Sequence, residues 1–525
     1  MAQWTPGALR QKIETLAHYP RVRGETARAL EAYLPTLDDW DLSRLNPRRV
    51  AEAIQRPFEE TLDAFLHGVR IGLLDFRYNL ICPLCGGLEH NFRRMDEVMP
   101  ENFHCTPCDR DAPSHLDEQV EVAFSVNEGL ARLDLDWTQQ ADGYRKHYFS
   151  PNYALATEFQ RLLSQDWAIG AARLEPGESL SFPFDLRPGE PVHLMCMEAH
   201  ARAVLEPEGA PRGETMIVDL DLTSEGFSPA RRVLPPGPVD VRVRNATGQT
   251  VGVAGLRKNP ARFEGARMAG RPEPHAWLTA RDLLNHQTFR DLFKVQDLDP
   301  NLRLSLKSLT LLFTDLKGST EMYDRAGDIS AYQVVQEHFE ILTRVVREHR
   351  GAVIKTMGDA IMAAFSRPED AAQAAIAMSA AIQARNLEWR KQGWNMGLKV
   401  GVHEGSALAV NADERLDYFG QTVNIAARVQ GLSAAGEIWM TETVWNQAGV
   451  AEALRLAGYA SRRQEALLKG VGNAVAVRQC SRAALSARPA SPTAPRKAAA
   501  PRRGRPAAKK AKPARGRVKT ARKRK

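Results

Sequence analysis

The feature that most constrains the fold lies between residues 303 and 480, where the hydrophobic period switches repeatedly between two and three-to-four. Leu309 to Phe313 (LTLLF) is a short apolar run of the kind a buried strand presents, and it ends at Thr314-Asp315. A loop of small and polar residues follows, Leu316 to Thr320 (LKGST). The apolar positions Tyr332, Val335, Phe339, Leu342 and Val346 then share one helical face. Residues 352–365 (AVIKTMGDAIMAAF) read as two strands about a tight turn at Met357-Gly358. An alanine-rich helix near 369–385 and a strand at 397–402 (GLKVGV) complete the first half. A chain that alternates in this way has to layer helices on a sheet.

Two carboxylates give that scaffold a chemistry. Asp315 leaves the end of a buried strand beside the LKGST loop, whose backbone N–H groups can face phosphate oxygens. Asp359 sits in the hairpin turn, which can return it to the same edge. Two convergent carboxylates suit hard divalent cations, which prefer oxygen ligands and bridge to nucleotide phosphates.

The stretches LLFTDLKGSTEMYDRAGD, VIKTMGDAIMAAF and DYFGQTVNIAARVQ resemble the class III nucleotide cyclase catalytic domain, over roughly 305–480. The resemblance implies a ferredoxin-like βαββαβ fold working as a head-to-tail homodimer. It implies that Asp315 and Asp359 bind two Mg²⁺ or Mn²⁺ ions per active site, and that Gly318, Ser319 and Thr320 bind substrate. Lys355 and Asp417 match the pair that reads the purine. Asn424 and Arg428 match the catalytic residues that orient the ribose and stabilise charge on the phosphate, and Lys469, in LLKGVG, matches a lysine on the polyphosphate. In that family the metal aspartates come from one chain and the Lys, Asp, Asn and Arg from the other. All six are present, so a homodimer would hold two complete sites. Lys with Asp is the adenine-type pair: adenine N1 accepts a hydrogen bond and its N6 amino group donates, whereas guanine reverses the pattern. Asn424 and Arg428 stand four apart on a predicted helix and project from one face. The implied activity is adenylate cyclase, ATP to 3′,5′-cyclic AMP and pyrophosphate, for intracellular signalling. The alternatives are a guanylate cyclase, or a nucleotide-sensing DNA-binding regulator with an inactive cyclase fold.

Upstream, residues 1–80 read as a helical segment, with one stripe through Val50, Ile54, Phe58, Leu62, Phe65, Val69 and Leu73. Cys82 and Cys85, then Cys105 and Cys108, form two CxxC pairs separated by 19 residues. That is zinc-ribbon spacing, in which four thiolates hold a structural Zn²⁺, and it sets residues 81–115 apart. Residues 116–265 change to period two: Leu180, Phe182, Phe184 and Leu186 alternate with polar or turn residues, as do Val239, Val241 and Val243. This predicts a β-rich, sandwich-like domain. Residues 266–302 read as a linker with a helix, followed by the cyclase-like segment 303–480. The arrangement before 303 is similar to the uncharacterised region found upstream of some bacterial cyclases; the resemblance supplies no ligand, and a regulatory or dimer-organising role is the default expectation. The whole reads as an α+β multidomain chain.

Composition excludes other classes. Across 525 residues no apolar run reaches the roughly 18–20 residues that a membrane span needs, and the N-terminus MAQWTPGALRQK lacks the apolar stretch of a signal peptide. A cytoplasmic location is expected. Six cysteines are too few for a disulfide scaffold in a chain this long. The net charge of +8 divides unevenly: residues 481–525 hold 17 of the 71 Lys and Arg and no Asp or Glu, leaving 54 basic against 63 acidic side chains in the body. With 13 Ala, 6 Pro and no aromatic residue, this basic tail is expected to be disordered. Its PRRGRP (501–506), centred on Arg503 to Arg505, is similar to an AT-hook. That implies weak, salt-sensitive nucleic-acid binding and association with the nucleoid.

Overall fold

A computed structural model describes residues 2–83, 86–92, 102–105, 110–113, 119–139, 143–153, 168–257, 265, 277–293, 303–412 and 415–482. Five helices open the chain: Ala8–Leu16, Gly24–Tyr33, Asp39–Ser43, Pro47–Ala53 and Phe58–Arg70. The apolar stripe beginning at Val50 is shared by the last two. Gln55 takes a left-handed φ of 53° and Pro57 fixes the entry to the second helix, so no single helix spans the stripe. Gly72, at φ 70°, turns the chain out of helix, and Leu74–Ile81 is a strand. The helical reading of 1–80 is therefore corrected from Leu74 onward.

That strand pairs antiparallel with Leu88–Phe92 on one side and Val120–Val126 on the other, and Leu278–Thr279 adds to the far edge of Val120–Val126. Val120–Val126 thus belongs to this sheet and not to the sandwich expected from residue 116. All seven of its residues are buried, as a strand paired on both sides and covered on both faces requires. The sandwich itself occupies 168–257. A five-stranded sheet and a four-stranded sheet pack over Phe182, Leu186, Leu194, Leu205, Val241 and Val253.

The segment from 303 alternates strand and helix as its periodicity predicts. It comprises β1 (Arg303–Lys317), α1 (Ser319–Glu348), β2 (Gly351–Met357), β3 (Ala360–Phe365), α2 (Pro368–Lys391) and β4 (Gly397–Ala412). The sheet order β2-β3-β1-β4 is that of a ferredoxin-like βαββαβ unit. β5 (Arg415–Phe419) folds back on β4 and leads into α3 (Gln421–Gln430). Beyond β4 the sheet continues with Ile438–Thr441, Val475–Ser481 and Ala460–Ala466 in that spatial order.

The period of two along β1 decides what covers each face. Leu312 and Leu316 pack with Leu342 and Val346 of α1 and with Ala371 and Met378 of α2. Leu309, Leu311 and Phe313 lie in a second core with Ala426 of α3 and with Phe65, Leu283 and Phe289 from upstream. On α1, Tyr332 is 59% exposed; the buried stripe runs instead through Ala331, Val335, His338, Leu342 and Val346.

The expected linker is a packed joint where it is described. Thr279 caps the helix Ala280–Leu284 by accepting from the Asp282 N–H, and Gln287–Leu292 follows. Gln287 Oε1 accepts from the Val353 N–H of β2 at 2.8 Å. The Tyr418 hydroxyl of β5 donates to Asn285 Oδ1 at 2.8 Å. Arg290 donates to the carbonyls of Leu284 (3.1 Å) and Leu416, with its guanidinium 5.8 Å from the Tyr418 ring centroid.

Cys82 and Cys105 are both fully buried, while Cys85 and Cys108 of the expected zinc ribbon lie outside the described residues. Among the described residues no cluster of three or more His, Cys, Asp or Glu could hold a metal. The expected disordered tail lies outside the described residues beyond Arg482. No described helix is long and apolar enough to cross a membrane.

Candidate functional site

Neighbouring strands place the two aspartates together. Phe313 of β1 pairs with Met362 of β3, and the Ile361 N–H donates to Thr314 Oγ1 at 3.1 Å. That register puts Asp315 next to the two-residue turn Gly358-Asp359 at the start of β3. Gly358 supplies the positive φ (63°) that such a turn needs. Beneath them lies His338 of α1, fully buried, whose Nε2 donates to the Asp359 carbonyl at 3.2 Å. Burial holds the His338 imidazole down to about 4, so the ring is neutral, although the Asp359 backbone bond and the charges of Asp359 and Asp315 act in the other direction. Lys399, the cross-strand partner of Asp315 on β4, donates its ammonium to Asp315 Oδ2 at 2.5 Å.

These residues fit a divalent cation. Asp359 Oδ2 is buried and has no hydrogen-bond partner among the described residues. A carboxylate oxygen in that condition is costly unless a donor or a cation meets it, and hard cations favour such oxygens. The LKGST stretch, expected as a loop, is instead the end of β1 (Leu316, Lys317) joined to the start of α1 (Ser319, Thr320) by Gly318 alone, and it supplies the second element of a phosphate site. Gly318 takes φ 97°, and a Cβ there would stand 3.0 Å from the Asn395 carbonyl, so glycine is required for the chain to enter α1 as it does. α1 begins at Ser319 with its N-terminal N–H groups unsatisfied by the helix, an arrangement that attracts anions. The Ser319 hydroxyl is nevertheless committed elsewhere, donating to the Leu316 carbonyl at 3.0 Å. Thr320 lies in the first helical turn.

A second cluster forms on the strands facing the joint. Lys355 of β2 donates to Asp417 Oδ2 of β5 at 2.5 Å, although the two are 62 residues apart. Asp417 Oδ1 also accepts from the Tyr418 N–H at 2.8 Å. Both side chains are partly open to solvent, at 38% for Lys355 and 20% for Asp417. On α3, Thr422, Ala426 and Val429 are buried, leaving Asn424 and Arg428 exposed on the outer face. Lys469 is exposed in the loop between Ala460–Ala466 and Val475–Ser481. Among the described residues, Asn424, Arg428 and Lys469 make no hydrogen bond or ion pair to Asp315, Asp359, Lys355 or Asp417. Within one chain the expected residues therefore fall into the aspartate pair, the Lys355–Asp417 pair, and three outward-facing side chains.

Sequence reasoning passed over His338, Lys399 and the Asn285–Tyr418 contact. His338 had a signal, since it continues the i, i+3, i+4 stripe through Val335 and Leu342. Lys399 had none until the register of β1 against β4 was known.

The chain is similar to known proteins over part of its length. Adenylate cyclase 1 of Rhizobium meliloti (strain 1021) is 30% identical over 139 residues, covering 24% of this chain and 21% of that protein. The adenylate cyclase of Anabaena cylindrica is 31% identical over 153 residues, covering 27% of this chain and 30% of its own length. The chain thus spans less than a third of either relative. Among solved structures, the adenylyl cyclase CyaB from P. aeruginosa is 23% identical, with a TM-score of 0.31, over 35% of this chain and 97% of that one. Residues 304–477 match the model of the adenylate and guanylate cyclase catalytic domain, and residues 11–291 match that of a family of unknown function, DUF5939. The chain belongs to the DUF5939 family and carries a class III nucleotide cyclase catalytic domain.

Proposed function

We propose that the chain is an adenylate cyclase, converting ATP to 3′,5′-cyclic AMP and pyrophosphate between two copies arranged head to tail. The observation that carries this reading is the Lys355–Asp417 pair, 2.5 Å apart although 62 residues separate the two in sequence, and still open to solvent. A lysine ammonium meets adenine N1 and an aspartate accepts from N6; neither suits guanine. Asn424 orients the ribose so that its 3′-hydroxyl lies in line with the α-phosphorus. The O3′–Pα bond forms, the bond from Pα to the bridging oxygen breaks, pyrophosphate leaves, and the hydroxyl proton passes to solvent. Arg428 meets the charge that develops on the α-phosphate, and Lys469 holds the departing polyphosphate. Asp315 and Asp359 would hold Mg²⁺ or Mn²⁺, which would supply acidity to the 3′-hydroxyl and charge neutralisation to the triphosphate. Four thiolates from Cys82, Cys85, Cys105 and Cys108 would hold a structural zinc, and the basic tail would make weak polyanion contacts.

An exposed apolar pair supports the homodimer. Leu408 and Phe419 face each other across β4 and β5, 38% and 68% exposed, beside the strand end that bears Asp417. Such a pair at the edge of a site is suited to a partner surface.

The test is product formation by the purified chain with ATP and GTP in parallel. Cyclic AMP from ATP, lost in Asp359→Ala, is expected. Lys355→Glu with Asp417→Cys should move the preference toward GTP. An unchanged base preference would reject the purine assignment, cyclic GMP from the native chain would favour the guanylate reading, and no product from either would favour a nucleotide sensor.

A further inference from the structure

The DUF5939 region contains a cavity of about 760 Å³ that none of the catalytic chemistry uses. It lies between the end of the helix Asp39–Ser43, the strands Leu74–Ile81 and Val120–Val126, the segment after Ala131–Arg132, and the helix Gly143–Tyr148. That volume falls within the range of small-molecule sites.

Its charge is positive. Arg44, Arg77 and Arg132 line it against one carboxylate, Glu128. Arg44 is held in place by neutral groups: it donates to the carbonyls of Lys146 (2.6 Å) and His147 (3.3 Å), and its guanidinium stands 5.5 Å from the Trp40 ring centroid. Neither Arg44 nor Arg132 has a carboxylate within 4.0 Å among the described residues. Burial lowers the Arg44 guanidinium to about 10 and the like charge of Arg77 adds to this, with only Glu121 acting against them. His147, also on the wall, contributes no charge: burial, then Arg44, hold it down to about 3.

The remaining wall is mixed in a way that selects a ligand. Trp40, Leu133 and Leu135 supply apolar surface, and Trp137 stacks behind His147 with ring centroids 4.9 Å apart. Ser125 is 1% exposed, and its hydroxyl has no partner among the described residues. Guanidinium groups bind carboxylate and phosphate through charge-assisted hydrogen bonds, while a buried hydroxyl left unpaired is a cost that a ligand oxygen would remove.

We propose that this cavity binds a small organic anion, a carboxylate or phosphate borne on an apolar body, with Arg44, Arg77 and Arg132 as its cationic side. The site is independent of the cyclase assignment, since no lining residue belongs to the catalytic segment.

The test is isothermal titration of the full chain, without divalent cations, using phenyl phosphate, benzoate and neutral benzyl alcohol. At least one anion is expected to bind, benzyl alcohol is not, and Arg77→Gln and Arg132→Gln should each weaken the anion about tenfold or more. Whether phenyl phosphate or benzoate binds more tightly identifies the head group. A urea unfolding transition like that of the native chain shows that each variant is folded. If Arg77→Gln does not fold, the exposed Arg132→Gln decides. The proposal is overturned if neither anion binds, if benzyl alcohol binds as well as the anions do, or if anion affinity is unchanged in the folded variants, which would locate the anion elsewhere.

Discussion

Replacing Tyr418 by Phe removes one oxygen from the joint and nothing else. The Tyr418 hydroxyl donates to Asn285 Oδ1 at 2.8 Å, with the two residues 3% and 1% exposed. Burial pushes the phenol up to about 12, so it remains a donor throughout the neutral range. Phenylalanine keeps the ring packing and leaves the Asn285 carbonyl oxygen without that donor in a dry setting, which costs about 1–3 kcal/mol. The loss falls next to Asp417, whose Oδ1 takes the Tyr418 N–H. If about 1 kcal/mol of it is felt when nucleotide binds, KM for ATP rises about fivefold. Urea unfolding and initial-rate kinetics should be measured for Tyr418→Phe, Asn285→Ala and the double variant. The double variant should cost less than the sum of the singles by about 1 kcal/mol. Additivity within about 0.5 kcal/mol would refute the bond's contribution, and an unchanged KM would refute the link from joint to purine pair.

Three further outcomes are expected. Phe419→Glu, placed on the exposed pair with Leu408, should shift the chain from dimer to monomer in sedimentation and abolish turnover; an active dimer would remove that surface from the interface. Burial holds His403 down to about 4 and His147 to about 3, against an ordinary 6.5. Between about pH 4 and 6.5 the unfolded chain therefore takes up protons that the folded chain refuses, and stability falls as pH drops through that window. The urea midpoint should be lower at pH 5 than at pH 7, and His403→Gln should flatten the difference; equal midpoints in the native chain would contradict this. Elemental analysis should find about one zinc per chain, lost in Cys82→Ser, if four thiolates form a site; a zinc-free native protein would reject it.

The catalytic segment was legible because its chemistry and its periodicity are both local. The apolar run that leads to Asp315, a glycine-led helix start and a hairpin carrying Asp359 each show in a short stretch of sequence, although the strand itself runs on past Asp315 to Lys317. What joins them across the chain was not legible. The Lys355–Asp417 contact could be inferred only through resemblance, since pairing across 62 residues has no local signature. Upstream the stripe through Val50 and Leu73 concealed a break, because a 3.6 period continues in register across a short turn at Gln55 and Pro57. Val120–Val126 was placed with the sandwich because it precedes it in sequence, whereas its partner Leu74–Ile81 lies some forty residues earlier. The sandwich showed itself by alternation, but the partner of each strand depended on crossovers that alternation does not encode.

The shared core on one side of β1 bears on how this catalytic unit could be transplanted. A graft cut at residue 303 would carry Leu306, Leu309, Leu311 and Phe313 without the upstream side chains that shield them. Each such residue forfeits about 1.5–3 kcal/mol when fully hydrated, enough together to rival the stability of an ordinary domain. A fusion that begins before Trp277 instead brings Leu283, Leu284 and Phe289 with the enzyme. Chimeras that borrow this catalytic domain should place their seam there.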